Sequence, residues 1–192
     1  MEKLDGRVAV IMGGGGDAGL GIARRLARAG ATVVLVDSDA EAADKAAAEI
    51  RHGWGTAAVR IVEKADARSA RQAVADIRRT CGGIDILVLP QTDIEVEDAM
   101  IDAALPGMEA RGHGVVALAD TTGTANRDLA AIEERLSACR RRVAQVAGHT
   151  VRTYAVAPLE PGAGDLGAAI AYLAAERPLS ELAGRLIVVP PA

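Results

Sequence analysis

Residues 7–37 read RVAVIMGGGGDAGLGIARRLARAGATVVLVD, and this stretch decides the fold. It opens on an apolar run, passes through four consecutive glycines into an Ala- and Arg-rich segment, and closes on a second apolar run that ends at Asp37. Strand, Gly-rich turn, helix and strand in this order form the unit with which many parallel α/β sheets begin. The stretch therefore predicts a β–α–β unit.

The same alternation continues along the chain. Short β-rich runs predict strands near 7–12, 32–37, 56–62, 84–89, 114–119, 151–157 and 185–190. Ala-rich stretches predict helices near 18–29, 40–51, 69–80, 95–110, 127–147 and 164–176. Several strands are almost wholly apolar, as strands covered on both faces of a parallel sheet are. We therefore predict an α/β protein with a Rossmann-type, doubly wound parallel sheet of about seven strands, a three-layer sandwich that makes a single domain of residues 1–192.

Composition excludes several classes of function. Half of the 192 residues are apolar but only three are aromatic, and the net charge is −4 without a basic stripe, which argues against nucleic-acid binding. No apolar run reaches the roughly 20 residues of a membrane helix, and the first residues lack the apolar core of a signal peptide. Two distant cysteines, Cys81 and Cys139, suggest neither a disulfide framework nor a metal site. We expect a cytoplasmic protein with no nucleic-acid, membrane or metal partner.

The Gly-rich turn is where ligand binding is expected. Backbone N–H groups of such a turn, with the amino end of the following helix, can hold a pyrophosphate, which predicts a dinucleotide site that includes Gly13 and Gly19. Asp37 ends the second strand, where a carboxylate accepts hydrogen bonds from an adenine ribose and repels a 2′-phosphate. The cofactor, if one binds, is therefore expected to be NAD rather than NADP.

Asp17 opposes tight binding. A carboxylate about 4 Å from a phosphate costs on the order of a few kcal/mol at an effective dielectric near 20, which weakens binding by roughly two to three orders of magnitude. The alternative, and the preferred interpretation, is that Asp17 caps a helix that begins at Ala18. With either role, no cofactor is expected to bind tightly.

On these residues the chain resembles the short-chain dehydrogenase/reductase superfamily along nearly its whole length. The resemblance is carried by LDGRVAV (4–10), ARRLARAGA (23–31), GGIDILV (82–88), LPGMEARG (105–112), YAVAP (154–158) and AGRLIVV (183–189). The superfamily places an Asp near the adenine ring after the third strand, and Asp66 stands there. The resemblance implies vestigial cofactor-binding positions at Gly13, Gly19, Asp37 and Asp66.

Two alignments with the family's first turn, Thr-Gly-x-x-x-Gly-Ile-Gly, are open. The gap-free alignment puts Asp17 at the second glycine and is preferred, because Ile22 and Leu26 then face the sheet. A rival register that starts at Gly15 and ends at Gly21 matches the glycines better, but it turns the apolar face of the following helix by about 200°.

The superfamily's catalytic residues are missing. Its Tyr-x-x-x-Lys pair delivers a proton, yet the only tyrosines, Tyr154 and Tyr172, are followed four residues later by Pro158 and Glu176. The helix predicted over 127–147 holds neither Tyr nor Lys. A general acid must lie within hydrogen-bond reach of the atom it protonates, so an arbitrary residue does not replace it.

Further departures follow the fourth and fifth strands. The family's Asn-Asn-Ala-Gly, which supports the floor of the cofactor site, is replaced by Leu89-Pro90-Gln91-Thr92. The place of the catalytic Ser falls on Asp120, beside Thr121 and Thr122. A lone Asp beside two hydroxyls, without a His or Lys base, is a poor catalytic set, so we expect no catalytic residue here and assign these positions to capping of the next helix.

Against the family pattern the chain is short after the fourth and sixth strands. The stretch from Thr92 to Met108 is too brief for the usual loop and long interface helix, and the stretch from Pro158 to Asp165 omits the segment that forms the substrate lid. The losses cluster where nicotinamide and substrate would bind, while the sheet and its helices are retained.

Three surface features leave alternatives open. The helix over 127–147 carries an apolar stripe that either packs on its own sheet or forms a subunit seam, where the superfamily usually has the corresponding helix. Trp54 is either a contact anchor or packed over the second helix. We expect His52, His113 and His149 to be surface or structural residues. The stripe consists of Leu129, Ile132, Leu136, Cys139, Val143 and Val146.

These observations favour a non-catalytic subunit of short-chain dehydrogenase type. It would form a homo-oligomer, or a hetero-oligomer with an active short-chain dehydrogenase whose site it supports or shapes. One alternative is an NAD(H)-dependent oxidoreductase that acts on an alcohol or ketone with an atypical site. The other is an adenine-nucleotide sensor that uses only the adenosine half of the site.

Overall fold

A computed structural model describes residues 3–64, 66–90, 93–121, 129–147, 150–158, 165–175 and 183–189. Strands and helices alternate within these ranges. The strands are β1 (Val8–Met12), β2 (Thr32–Asp37), β3 (Thr56–Ile61), β4 (Ile86–Pro90), β5 (Gly114–Ala119), β6 (Val151–Pro158) and β7 (Leu186–Val189). The helices are α1 (Asp17–Arg28), α2 (Ala40–His52), α3 (Ala67–Cys81), α4 (Ile94–Arg111), α5 (Leu129–Val146) and α6 (Leu166–Ala174).

The strands form one parallel sheet in the order β3-β2-β1-β4-β5-β6-β7. The chain moves outward from β1 to β3, returns to the centre at β4 and moves outward again to β7. Helices α3, α4 and α5 cover one face of the sheet, and α1, α2 and α6 cover the other. The predicted doubly wound Rossmann-type sandwich is confirmed.

Alternating strand residues supply the two apolar layers. In β1, Val10 packs in the layer of α3 to α5, and Ala9 and Ile11 pack in the layer of α1, α2 and α6. Burial of each large aliphatic side chain contributes about 1.5–3 kcal/mol. Tyr154 is the one aromatic side chain among the described buried residues, so aliphatic packing holds the sheet together, as the composition predicts.

Asp85 explains why β4 begins two residues later than predicted. Its backbone N–H bonds to the carbonyl of Val8, and its carboxylate accepts a hydrogen bond from the Val8 N–H at 2.7 Å. The same carboxylate lies 2.6 Å from Nε2 of His113 and within 4 Å of guanidinium nitrogens of Arg7 and Arg111. This cluster, in which Asp85 is buried and its partners are partly exposed, ties β1, β4 and β5 together at the amino edge of the sheet, and His113 is structural, as expected.

The stretch from Thr92 to Met108, expected to be too brief for the usual loop and a long helix together, holds most of a long helix. Helix α4 is 18 residues long, because Asp93 caps it within three residues of the end of β4 and accepts a hydrogen bond from the Glu95 N–H at 2.8 Å. The helix continues through Pro106 and ends before Gly112, whose φ of 71° is favourable only for glycine. The connection between β4 and α4 is therefore short, whereas the helix itself is long.

The apolar stripe of α5 packs on its own sheet. Ile132, Leu136, Cys139 and Val143 are buried in the same apolar layer as α3 and α4, whereas the terminal Leu129 and Val146 keep 44% and 39% of their surface exposed. None of the helices in the described ranges is long and apolar enough to cross a membrane.

Candidate functional site

The carboxyl ends of the parallel strands meet at one edge of the sheet. The chain reverses its winding direction between β1 and β4, and ligands of doubly wound sheets bind in the crevice at that point. The Gly-rich turn after β1 and the end of β4 at Pro90 flank this crevice, so the fold brings the predicted turn to the expected place.

The Gly-rich turn is bonded to the end of β2. The Gly13 N–H donates to the Val36 carbonyl at 2.8 Å, and the Gly15 N–H donates to Oδ2 of Asp37 at 2.9 Å. The Gly16 N–H donates to the carbonyl of Gly13 at 3.3 Å. These amides therefore already have acceptors within the chain.

Close packing makes three of the turn's glycines necessary. A Cβ on Gly14 would lie 2.8 Å from Cβ of Leu35, and one on Gly15 would lie 2.9 Å from the backbone nitrogen of Ala43. A Cβ on Gly19 would overlap the carbonyl oxygen of Gly13. The predicted pair Gly13 and Gly19 is thus in direct contact, and Gly13 itself has a φ of 67°, which glycine adopts without strain.

Asp17 is not the cap of α1, which corrects the preferred interpretation. Helix α1 begins at Asp17, its cap residue is Gly16, and no side chain caps its first amides. The helix starts one residue earlier than predicted because the extended Gly16 already offers its carbonyl to the Leu20 N–H at 2.8 Å. Asp17 is exposed in the first turn, where a carboxylate is favoured by the helix dipole.

Ile22 and Leu26 of α1 face the sheet, as the gap-free alignment requires. The amides of Asp17, Ala18 and Gly19 are those that a helix leaves without an internal acceptor. An anion bound to these three amides would therefore lie close to the carboxylate of Asp17.

Asp37 and Asp66 both have structural partners. Oδ1 of Asp37 accepts a hydrogen bond from the Asp39 N–H at 3.1 Å while Oδ2 holds Gly15, so this carboxylate joins the Gly-rich turn to the start of α2. Asp66 caps α3, and its Oδ1 accepts from the Ser69 N–H at 2.7 Å. The Ser69 amide and then its hydroxyl lower the pKa of Asp66 below its ordinary value.

The end of β4 is apolar. Leu89 is fully buried, and the ring of Pro90 lies beside Gly13, with its Cγ 3.6 Å from where a Cβ of Gly13 would be. Proline has no N–H to donate. The segment therefore offers no polar side chain as far as Pro90; Gln91 and Thr92 lie outside the described residues.

Asp120 lies directly after β5 and is 2% exposed. Its N–H donates to the carbonyl of Val156 at 2.8 Å, which fixes it between β5 and β6. Thr121 is half-buried beside it, and Thr122 lies outside the described residues. The first described residue of α5 is Leu129, and residues 122–128 lie outside the described residues, so the predicted capping role of Asp120, Thr121 and Thr122 stays a prediction.

Neither tyrosine lies at the carboxyl edge. Arg152 donates hydrogen bonds to the carbonyls of Leu173 and Ala175 at 3.1 and 3.4 Å, and its Nη1 is 3.5 Å from the hydroxyl of Tyr154. These carbonyls belong to the carboxyl end of α6, which runs back along the sheet and so ends at its amino edge. The phenol of buried Tyr154 therefore points away from the crevice, and Tyr172 lies in the same last part of α6.

The lysines are also remote from the crevice. Lys3, Lys45 and Lys64 are exposed, and all precede β4 in the chain. Lys64 follows β3, which lies four strand positions from β5, a separation of about 19 Å at about 4.8 Å per strand. No Tyr–Lys pair can therefore form beside β5 and β6.

These residues fit a dinucleotide only in part. The end of β2 carries the expected carboxylate, and the turn has the expected glycines. The pyrophosphate position, however, adjoins the Asp17 carboxylate, and no described Tyr or Lys is within reach of the nicotinamide end. Among the described residues, no group of three or more His, Cys, Asp or Glu side chains could hold a metal ion.

The comparisons with known proteins agree with this geometry. The family model described as short chain dehydrogenase matches residues 7–91, the segment from β1 through β4. The chain resembles the structure of hydroxysteroid dehydrogenase from Escherichia coli with a TM-score of 0.80 and 22% identity, over 98% of this chain and 97% of that one. Residues 7–91 thus match the short-chain dehydrogenase family, and the solved structures share the fold of this chain over nearly its whole length.

Two further solved structures have the same fold. One is 7α-hydroxysteroid dehydrogenase complexed with NADH and 7-oxo glycochenodeoxycholic acid, at 21% identity and a TM-score of 0.80 over 97% of this chain and 94% of that one. The other is a short-chain type dehydrogenase/reductase from Mycobacterium marinum, at 20% identity and a TM-score of 0.81 over 98% and 95%.

Sequence reasoning missed two features of the site. The bond from Gly15 to Asp37 depends on the conformation of the turn, which the sequence does not encode in a recognisable pattern. The amino-edge position of the Tyr154 hydroxyl could have been suspected, because Arg152 is a charged residue two positions before it inside an otherwise apolar strand.

Proposed function

We propose that this chain is a non-catalytic short-chain dehydrogenase-like subunit that supports or shapes the site of an active dehydrogenase partner. The observation that carries the proposal is the position of the only two tyrosines. One phenol is buried at the amino edge beside Arg152, and the other residue lies near the end of α6. Reduction of a carbonyl by hydride needs a proton donor at the reacting oxygen. In the superfamily this donor is a tyrosine, and neither tyrosine of this chain is placed to act as one.

The preserved scaffold supports a role in assembly. Glycines 14, 15 and 19 retain close contacts that leave no room for a side chain, and apolar residues fill both layers beside the sheet. A chain without any function would not need to keep these contacts. A partner that supplies the chemistry accounts for a retained fold beside missing catalytic residues.

Co-purification and reconstitution test the proposal. An affinity-tagged chain, expressed in its native cells, is expected to retain a dehydrogenase that contains Tyr-x-x-x-Lys. Adding the purified chain to that enzyme is expected to change its kcat or KM. If no such dehydrogenase is retained, or if its kinetics are the same with and without the chain, the proposal fails.

A second candidate function is an NAD(H)-dependent oxidoreductase with an atypical proton donor. The carboxylate of Asp37 at the end of β2, beside the Gly-rich turn, favours it. Titration of NADH by fluorescence distinguishes this oxidoreductase from the non-catalytic subunit. Submicromolar binding supports the oxidoreductase, and absence of binding at millimolar NADH excludes it. Binding of AMP or ADP without turnover would instead favour an adenine-nucleotide sensor.

The Asp17→Asn variant sharpens this titration. Asp17 is exposed in the structure, so its repulsion of a bound phosphate is worth about 1 kcal/mol in water-like surroundings rather than the few kcal/mol expected at a lower dielectric. NADH affinity should therefore rise about fivefold if the turn still binds the cofactor. Asp44→Asn on the exposed side of α2 is the matched control, because it removes the same charge away from the turn.

A further inference from the structure

A cleft opens between α5, β6 and the start of β7. Its volume is about 620 Å³, and sites for small organic ligands usually measure roughly 300–1,000 Å³. It lies near the first residues of β6 and β7, at the amino edge of the sheet, whereas the crevice beside the Gly-rich turn lies at the carboxyl edge. We call it the α5–β7 cleft; the lining residues that matter here are Arg140, Arg141, Val143, Val151, Thr153 and Gly184.

The α5–β7 cleft is positively charged. Its lining includes three arginines and no acidic side chain, although the chain as a whole has a net charge of −4. The guanidinium of Arg152 is directed to the other face of the sheet, where it donates to the carbonyls of Leu173 and Ala175. Arg140 and Arg141 therefore supply the positive charge of the cleft.

These two charges are not neutralised within the described part of the chain, where no carboxylate pairs with either guanidinium. Arg140 donates to the carbonyl of Gly184 at 3.3 Å, which holds its guanidinium beside the cleft. By contrast, Arg135 and Arg142 of the same helix are paired with carboxylates of α4 at 2.5 Å. The helix dipole does not account for the unpaired charges, because both lie before the last turn of α5.

The floor of the cleft combines apolar side chains with one buried hydroxyl. Val143 and Val151 are buried there, and Thr153 is 5% exposed, with its side chain on the α5 face of β6. Its hydroxyl forms no hydrogen bond with any residue that the structure describes. A buried hydroxyl without a partner is unfavourable, and a bound ligand can supply the missing partner.

We propose that the α5–β7 cleft binds a small organic anion that has an apolar body and a carboxylate or phosphate group. The anionic group lies between the guanidiniums of Arg140 and Arg141, whose N–H groups suit paired oxygens. The apolar body packs on Val143 and Val151, and the Thr153 hydroxyl bonds to a polar atom of the ligand. This inference does not rest on catalytic silence, because the cleft and the crevice lie at opposite edges of the sheet.

Octanoate and octyl phosphate are the probes, and isothermal titration calorimetry measures their binding. The tighter of the two, which identifies the preferred head group, should have a dissociation constant below about 1 mM. Octanol, which lacks the charge, and acetate or inorganic phosphate, which lack the chain, should each bind about tenfold more weakly or worse. Amide NMR shifts should centre on Thr153 and Gly184, and not on Gly15 of the Gly-rich turn.

Three variants test the assigned contacts. Arg141→Gln should weaken binding of the tighter probe by about tenfold. Arg28→Gln, the control, removes the same charge from an exposed position of α1 on the other face of the sheet and should change binding by less than about twofold. Thr153→Val should weaken binding by about threefold or more without destabilising the free chain, because the hydroxyl that it removes has no partner there.

Absence of binding at millimolar concentrations of both probes overturns the proposal, and so does octanol that binds as tightly as they do. Binding that Arg141→Gln leaves unchanged, or that shifts Gly15 in place of Thr153, also overturns it. A free Thr153→Val chain that unfolds at lower urea than the wild type would contradict the unpartnered hydroxyl. Circular dichroism verifies that each variant folds.

Discussion

Gly19 is the residue on which the geometry of the Gly-rich turn depends most directly. A Cβ there would overlap the carbonyl oxygen of Gly13, which is backbone and cannot move aside without shifting the turn. Gly21 lies in the same helix and is exposed, and a Cβ added to it would meet no atom within 4 Å. The two glycines therefore form a matched pair within one helix.

Gly19→Ala should destabilise the protein by about 1–3 kcal/mol, as overpacking typically does. Gly21→Ala should instead stabilise it by about 0.5–1 kcal/mol, because alanine is the better helix former. Urea unfolding measures both free energies. Equal effects of the two substitutions would show that the turn does not pack as described.

Cys139 illustrates how burial changes reactivity. Burial, with a smaller effect of Glu97 and Asp98, raises the pKa of the Cys139 thiol to about 12, whereas Cys81 is only partly buried. A thiol reagent at pH 8 should therefore modify one thiol in the native protein and two in denaturant. Rapid modification of both in the native state would contradict this burial.

The same shift has a consequence for stability at high pH. The folded pKa is raised above its unfolded value, so the contribution of Cys139 is fully present below the unfolded pKa, near 9. It is lost as the pH rises from there towards about 12, because the unfolded thiol ionises first.

At the scale of elements, a buried ion pair joins α4 and α5. Nη2 of Arg135 lies 2.5 Å from Oε1 of Glu97, and the two side chains are 14% and 6% exposed. Removal of Glu97 leaves the guanidinium of Arg135, which is 14% exposed, without this carboxylate, and such a loss typically costs about 3–5 kcal/mol. Replacement of both by apolar residues of similar volume is often nearly neutral.

Glu97→Leu should lower the free energy of unfolding by about 3 kcal/mol, and the double variant Glu97→Leu/Arg135→Met should recover most of the loss. Asp102→Ala, which breaks a half-exposed pair with Arg142, is the control and should cost under about 1 kcal/mol. Additive effects of the two buried substitutions, measured by denaturant unfolding, would argue against a coupled pair.

Element positions follow closely from the sequence, because periodicity depends on the same apolar residues that form the layers. The described strands and helices begin and end within three residues of their predicted places. The predicted boundaries differ from the structure where a single side chain or turn decides them. Strand β4 begins later than predicted because Asp85 bonds to Val8, and α1 begins earlier because Gly16 rather than Asp17 is its cap. Helix α4 agrees with its own sequence pattern, which predicts a helix over 95–110.

Trp54 shows what sequence alone leaves open. The alternative that it packs over the second helix is wrong, because the side chain is 98% exposed and its backbone has a φ of 67°. An exposed indole and a left-handed backbone at a non-glycine residue are both unusual. The role of a contact anchor stays a prediction.

At the scale of the whole molecule, the structure separates a preserved half from an altered one. The segment from β1 to β4 matches the family and keeps the glycines of the turn. Beyond it, β4 ends in Leu89 and Pro90, Asp120 is buried directly after β5, and Tyr154 points to the opposite edge. The absence of Tyr-x-x-x-Lys could be read from the sequence, because the absence of a residue pattern needs no coordinates.

Turnover by the purified chain alone is the most direct test. The chain is incubated with NAD⁺ or NADH and a panel of alcohols and ketones, and absorbance at the reduced nicotinamide band is followed. No turnover above that of buffer is expected. Turnover that co-elutes with the folded chain and is lost in the Gly19→Ala variant would contradict the account.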